Sequence, residues 1–156
     1  RLARELNTEP QKHGLLFSNV YSEIITIFNG KEFKIRFIEN SIDSIKNCPG
    51  LEIRMSENTG VVMEFYRPKH KKRVWGDYRQ YRTGDSRIDS EWFILTTDME
   101  RAGQLWSRTQ LRDLIKGFPQ LEQILINQQE IIVQLKKYHS SKSVLNVLQK
   151  LANLME

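Results

Sequence analysis

The sequence predicts an α+β fold: a mainly antiparallel sheet built from β-hairpins, with a helix pair and a C-terminal amphipathic helix packed on one face. Three observations carry this. Asn29-Gly30 separates two β-rich runs, a hairpin signal, because both residues tolerate the positive φ of a type I′ turn. The apolar period then changes from two to three-and-a-half in "TDMERAGQLWSRTQLRDLIKGFP". Finally, Val144, Val147, Leu148, Leu151 and Leu154 form a stripe at helical spacing near the C-terminus.

The elements follow in chain order. "RLARELN" predicts a short helix, ended by Pro10 and Gly14. Ile24 to Phe28 is apolar on both faces and predicts a central strand. In the second arm Phe33, Ile35 and Phe37 alternate with Lys34 and Arg36, which gives one buried and one wet face. "SIDSIKNCPG" reads as a loop or a single helical turn. Leu51, Ile53 and Met55 alternate with Glu52, Arg54 and Ser56, and "ENTG" then predicts a second hairpin whose return strand puts Val61, Met63 and Phe65 on one face. "EWFILTT" predicts a fifth strand, with Asp89 and Glu91 as polar residues at its edge.

Thr97 with Glu100, and Ser107 with Gln110, have the spacing of capping boxes, so two consecutive helices or one kinked helix are expected. Ala102, Leu105 and Trp106 form the buried stripe of the first half, and Leu111, Leu114 and Ile115 that of the second. Gly117 and Pro119 end the run. "LEQILINQQEIIVQLKKY" returns to period two around a turn at Asn127–Gln129, a third hairpin. The last helix takes Ser141 or Ser143 as N-cap. No repeat, low-complexity tract or linker divides the 156 residues, so a single α+β domain over residues 1–156 is expected.

Composition narrows the classes. With 39% apolar and 28% charged residues the chain is a globular domain rather than a disordered one. The single Cys48 excludes an internal disulfide and points to a reducing compartment, the cytoplasm or the cytoplasmic face of a membrane. No apolar run reaches the roughly 18–20 residues of a membrane-spanning helix. Arg1 rather than Met stands first, so an excised piece of a longer and membrane-attached protein is one expectation.

Chemistry-bearing motifs are scarce. There is no Gly-rich phosphate loop, no H-E-x-x-H and no cysteine pair for zinc. His13, His70 and His139 stand far apart, and Cys48 has no histidine beside it in sequence. No catalytic residue, metal ligand or cofactor-binding residue is therefore assigned, and the leaning is away from an enzyme.

The informative segment is "RPKHKKRVWGDYRQYRTGDSR", Arg67 to Arg87. It holds eight Lys and Arg against Asp77 and Asp85, a surplus of six charges where the whole chain nets +5. The remaining residues thus sum to −1, and the basicity is local. Arg67, Lys69, Lys71, Lys72, Arg73, Trp75, Tyr78, Arg79, Tyr81 and Arg82 are the candidate binding residues. Cations would neutralise phosphates while Trp75, Tyr78 or Tyr81 stack on bases, or the same cations would meet anionic lipid with Trp75 at the interface. An acidic protein surface would serve as well. Against these stands a purely structural reading. "KKRVWGDYRQYR" would be a long hairpin turning at Trp75 to Tyr78, its lysines and arginines blocking edge-to-edge pairing. The preferred function is a non-catalytic binding or regulatory domain. Two alternatives remain: an enzyme without a short motif, using Asp77 or Asp85 with arginines on an acidic substrate, and a homo-oligomeric scaffold.

Overall fold

A computed structural model describes residues 10–14, 20–38, 50–70, 74, 76–136 and 140–156. The expected helix at residues 1–7, the loop at 41–49 with Cys48, and Lys71, Lys72, Arg73, Trp75 and His139 lie outside the described residues, as do the side chains of His13 and His70.

The described strands are β1 Pro10–Gly14, β2 Val20–Phe28, β3 Lys31–Ile38, β4 Gly50–Ser56, β5 Met63–Tyr66, β6 Arg79–Tyr81, β7 Phe93–Thr96, β8 Leu121–Ile126 and β9 Glu130–Leu135. They form one sheet in the order β1-β2-β3-β4-β9-β8-β5-β7-β6. Each pairing is antiparallel. Among the described residues four α-helices accompany it: α1 Ser86–Glu91, α2 Met99–Arg108, α3 Leu111–Gly117 and α4 Ser141–Ala152. The α+β architecture read from the sequence is the one observed.

The first hairpin forms as its turn chemistry dictates. Asn29 and Gly30 take φ of 49° and 75°, and β2 pairs with β3 from Phe28↔Lys31 inwards. β2 nevertheless lies second from the edge, between β1 and β3, and Ile27 is 74% exposed. Its two apolar faces therefore do not make it a strand buried on both sides.

The second hairpin does not exist. β4 pairs with β3 and β9, while β5 pairs with β7 and β8. The intervening segment crosses the end of the β8–β9 hairpin. Glu57 N donates to Gln129 O at 3.0 Å, Thr59 N to Gln128 O at 3.2 Å, and Thr59 Oγ1 to Asn127 O at 2.6 Å. "ENTG" is thus a bridge over two strands rather than a turn between neighbours. The alternation survives: Val61, Met63 and Phe65 are all buried.

One face of the sheet makes the core. A row of paired residues crosses eight strands: Ile24, Ile35, Ile53, Val133, Ile124, Phe65, Ile94 and Tyr81. All but Tyr81 are buried, and Tyr81 packs against the same cluster. The helices contribute Ala102, Leu105 and Trp106, then Leu111, Leu114 and Ile115, then Val144, Val147, Leu148 and Leu151, as their stripes require. Each buried Val or Leu contributes about 1.5–3 kcal/mol, so these stripes outweigh the weak propensity of short helices.

The caps differ from the sequence expectation by a residue or more. Asp98, not Thr97, caps α2, accepting from Arg101 N at 3.0 Å. Ser107 lies inside α2, and the break falls at Thr109, whose hydroxyl donates to Leu105 O at 2.8 Å. Ser140, not Ser141 or Ser143, caps α4, accepting from Ser143 N at 3.2 Å. At the starts of α2 and α4 two or more capping residues stand side by side, and only the backbone path selects one.

The opposite face is divided. On β3, β4 and β9 it is ionic. Glu52, 3% exposed, accepts from Arg36 Nη2 at 3.0 Å, Arg54 Nε at 2.7 Å and Gln134 Nε2 at 3.3 Å. On β5 and β7 it is apolar, where Tyr66, Phe93 and Leu95 are buried with Tyr78 and Leu125 against them.

Candidate docking surface

The basic segment leaves the sheet after β5 and returns to it as the edge strand β6. A 3-10 turn at Pro68–His70 follows β5, and Gly76 turns the chain with φ of 62°. Arg79–Tyr81 then pairs with β7, Arg79 opposite Thr96. Among the described residues the partner of β6 is β7, which lies beyond α1 in the chain; the first arm of the expected long hairpin, Lys71 to Arg73, lies outside the described residues. Gly84, with φ of 82°, leads into α1. Asp89 accepts from Thr83 N and Thr83 Oγ1, both at 2.8 Å, and from Gly84 N at 3.1 Å. Asp89 and Glu91 therefore belong to a helix, not to a strand edge. Six residues with only Ile88 buried leave no stripe from which α1 could have been read.

The described candidate residues divide into committed and exposed groups. Arg67 is committed. Its guanidinium lies 4.0 Å over the Trp92 ring, Nε donates to Leu121 O at 2.9 Å, and Nη2 donates to Leu121 O at 2.7 Å and Pro119 O at 3.1 Å. Burial lowers its pKa, against the opposing pull of Glu122 and Glu91. Tyr78 is also committed: its hydroxyl donates to Glu64 Oε1 at 3.3 Å, while Tyr66 donates to Glu64 Oε2 at 2.7 Å. Burial first, and the Glu64 carboxylate second, raise the pKa of both phenols. Tyr81 packs on the core, and burial, with Asp89 nearby, raises its pKa too. Lys69 stands 3.7 Å from the Glu122 carboxylate and remains 57% exposed.

Arg79 and Arg82 are exposed. Arg79 Nη1 donates to Gly76 O at 3.3 Å and Tyr78 O at 3.0 Å, so its charge meets carbonyls rather than an acid. Among the described residues, neither arginine has a carboxylate within ion-pair distance. Of the two acids, Asp77 is exposed. Asp85 accepts from Arg87 N at 3.1 Å and Ile88 N at 3.3 Å and pairs with Lys116 Nζ at 2.7 Å. The hydrogen bond from Lys116, then those from the α1 backbone, lower its pKa.

Residues that sequence reasoning did not join meet at the foot of the excursion. Arg67, Arg87, Ile88, Glu91, Ile115, Lys116 and Pro119 line a cleft of about 260 Å³. Arg87 Nε lies 3.2 Å from Glu91 Oε1. Lys116 comes from α3, and no local pattern ties it to Arg67. Among the described residues no group of three His, Cys, Asp or Glu could hold a metal ion. No described helix is long and apolar enough to cross a membrane.

No family model and no curated protein matches the chain. Among solved structures it is similar to the crystal structure of the mycobacterial trehalose monomycolate transport factor A, TtfA, with 12% sequence identity and a TM-score of 0.70 over 99% of this chain and 90% of that one. At that identity the likeness is one of fold.

Proposed function

We propose that this chain is a single non-catalytic binding domain that docks an anionic membrane surface, at its cytoplasmic face, through the excursion between Arg67 and Arg87. The observation that carries the proposal is the confinement of charge: six surplus cations in that segment and a balance of −1 elsewhere. Arg67 and Tyr78 hold the base of the excursion, Arg79 and Arg82 are exposed, and Lys71, Lys72 and Arg73 are the further cations that its sequence supplies. Each cation close to anionic headgroups contributes about 1 kcal/mol. Trp75, beside the lysine run in sequence, is of a type that favours the membrane–water interface. The fold neighbour is named as a transport factor, which supports a binding role over a catalytic one.

Co-sedimentation with anionic and neutral vesicles at two salt concentrations tests this. Binding to the anionic vesicles is expected to fall steeply as salt rises, and the K71S/K72S/R73S variant to lose most of it. Binding that ignores salt and the triple substitution would overturn the proposal. Preferential binding to single-stranded DNA or RNA would replace the membrane with nucleic acid.

A further inference from the structure

We infer that the cleft at the foot of the excursion binds a phosphate monoester. Three cations, Arg67, Arg87 and Lys116, and one carboxylate, Glu91, line it, a net charge of +2 among the lining residues, with Asp85 paired to Lys116 just outside them. A phosphate monoester carries about −1.5 to −2 at neutral pH, so one such group balances the cleft. At about 260 Å³ the cleft falls below the roughly 300–1,000 Å³ of sites for drug-sized ligands, a scale suited to a single headgroup. Ile88 and Ile115, both buried, give it an apolar wall that weakens competition from water.

The cations are available in different ways. Arg67 is fixed by Trp92 and by two carbonyls, but those bonds use Nε and Nη2 only. Its Nη1 donates to no described residue, and no described carboxylate lies within ion-pair distance of it. Glu122 stands 3.7 Å from Lys69. The guanidinium is thus partly buried, with Glu122 and Glu91 close enough to oppose the lowering of its pKa but neither in ion-pair contact with it. Arg87 is 71% exposed, and its i,i+4 pair with Glu91 is of the weakest class, readily exchanged for a dianion. Lys116 can leave Asp85 without undoing α1, because Asp85 keeps the backbone amides of Arg87 and Ile88. Rigid Arg67 and two swinging cations make a clamp for a tetrahedral oxyanion.

The docking proposal supplies only the source of the phosphate, a lipid headgroup rather than the free ion. An NMR titration with inorganic phosphate, against chloride at matched ionic strength, tests the site itself. Saturable shifts are expected at the amides of Arg87, Ile88 and Lys116, with binding weakened about tenfold in Arg87→Gln and in Lys116→Gln. Flotation with vesicles carrying phosphatidic acid or phosphatidylserine at equal charge identifies the source. Preference for phosphatidic acid that Arg87→Gln abolishes supports the headgroup; phosphate binding without that preference supports the free ion. The K71S/K72S/R73S variant separates the two proposals, since it should lose vesicles yet keep inorganic phosphate. Absence of saturable shifts, or glutamine variants that bind as the wild type, would overturn the site even if vesicle binding persisted.

Discussion

The two halves of the face opposite the helices handle charge in contrasting ways. On β3, β4 and β9 the arginines find carboxylates across the strands: Arg36 and Arg54 converge on Glu52, and Arg54 also reaches Glu130 at 3.4 Å. On β5 and β7 the same rows turn aromatic at Tyr66 and Phe93, and among the described arginines of the flanking excursion Arg67 and Arg79 meet carbonyls or an indole, Arg82 is exposed, and Arg87 keeps only an exposed i,i+4 pair with Glu91. The first arrangement consumes charge to fix strand register. The second leaves it available, which is what a docking surface needs and a merely stable sheet does not.

That contrast can be broken from the stable side first. Glu52→Ala would remove the buried carboxylate on which Arg36 and Arg54 converge, leaving Arg54 with Glu130 at 3.4 Å. Removing one partner of a buried pair costs about 3–5 kcal/mol, and the partial exposure of both arginines puts the expected loss near 3 kcal/mol by chemical denaturation. A neutral outcome would make the network ornamental. Its pH dependence has a defined sign. Burial pushes the Glu52 pKa up, but hydrogen bonds and charge from Arg54 and Arg36 outweigh it and hold it below its ordinary value near 4.5. The contribution is therefore complete above about pH 4.5 and is lost as pH falls through the lower folded value. Urea midpoints should drop more steeply below pH 4.5 in the wild type than in Glu52→Gln.

Arg67→Ala comes next. It removes a cation from the Trp92 face and strands the carbonyls of Pro119 and Leu121, an expected loss of about 2 kcal/mol in the same assay. The smallest effect belongs to the exposed arginines. The double variant Arg79→Gln/Arg82→Gln should stay within about 0.5 kcal/mol of the wild type while weakening vesicle binding. A stability loss matching that of Arg67→Ala would assign these arginines to the fold instead.

What the sequence discloses is local. Asn29-Gly30 and the alternation of Phe33, Ile35 and Phe37 contain their own instructions, and the structure follows them. The break between α2 and α3 was legible from Ser107 to Leu111, although Thr109 rather than Ser107 makes it. "ENTG" misleads because turn chemistry says where a strand ends, not which strand lies beside it; the neighbours of β4 and β5 come from residues 121–135. The candidate surface was visible as a concentration of charge. That Arg67 is already engaged by Trp92, and that Arg87 shares a cleft with Lys116, depends on contacts between distant elements that no spacing reports.

The bridge over the last hairpin also bears on how the molecule is made. Synthesis delivers β4 and β5 early, but the two strands that belong between them emerge late. Until Leu135 has left the ribosome, each half of the sheet presents a bare row of amide and carbonyl groups beside uncovered isoleucine and phenylalanine. The nascent chain is then most open to pairing with a neighbour of its own kind. Insertion of the final hairpin closes that interval, making the C-terminal quarter the keystone of the whole sheet rather than an appendage to it.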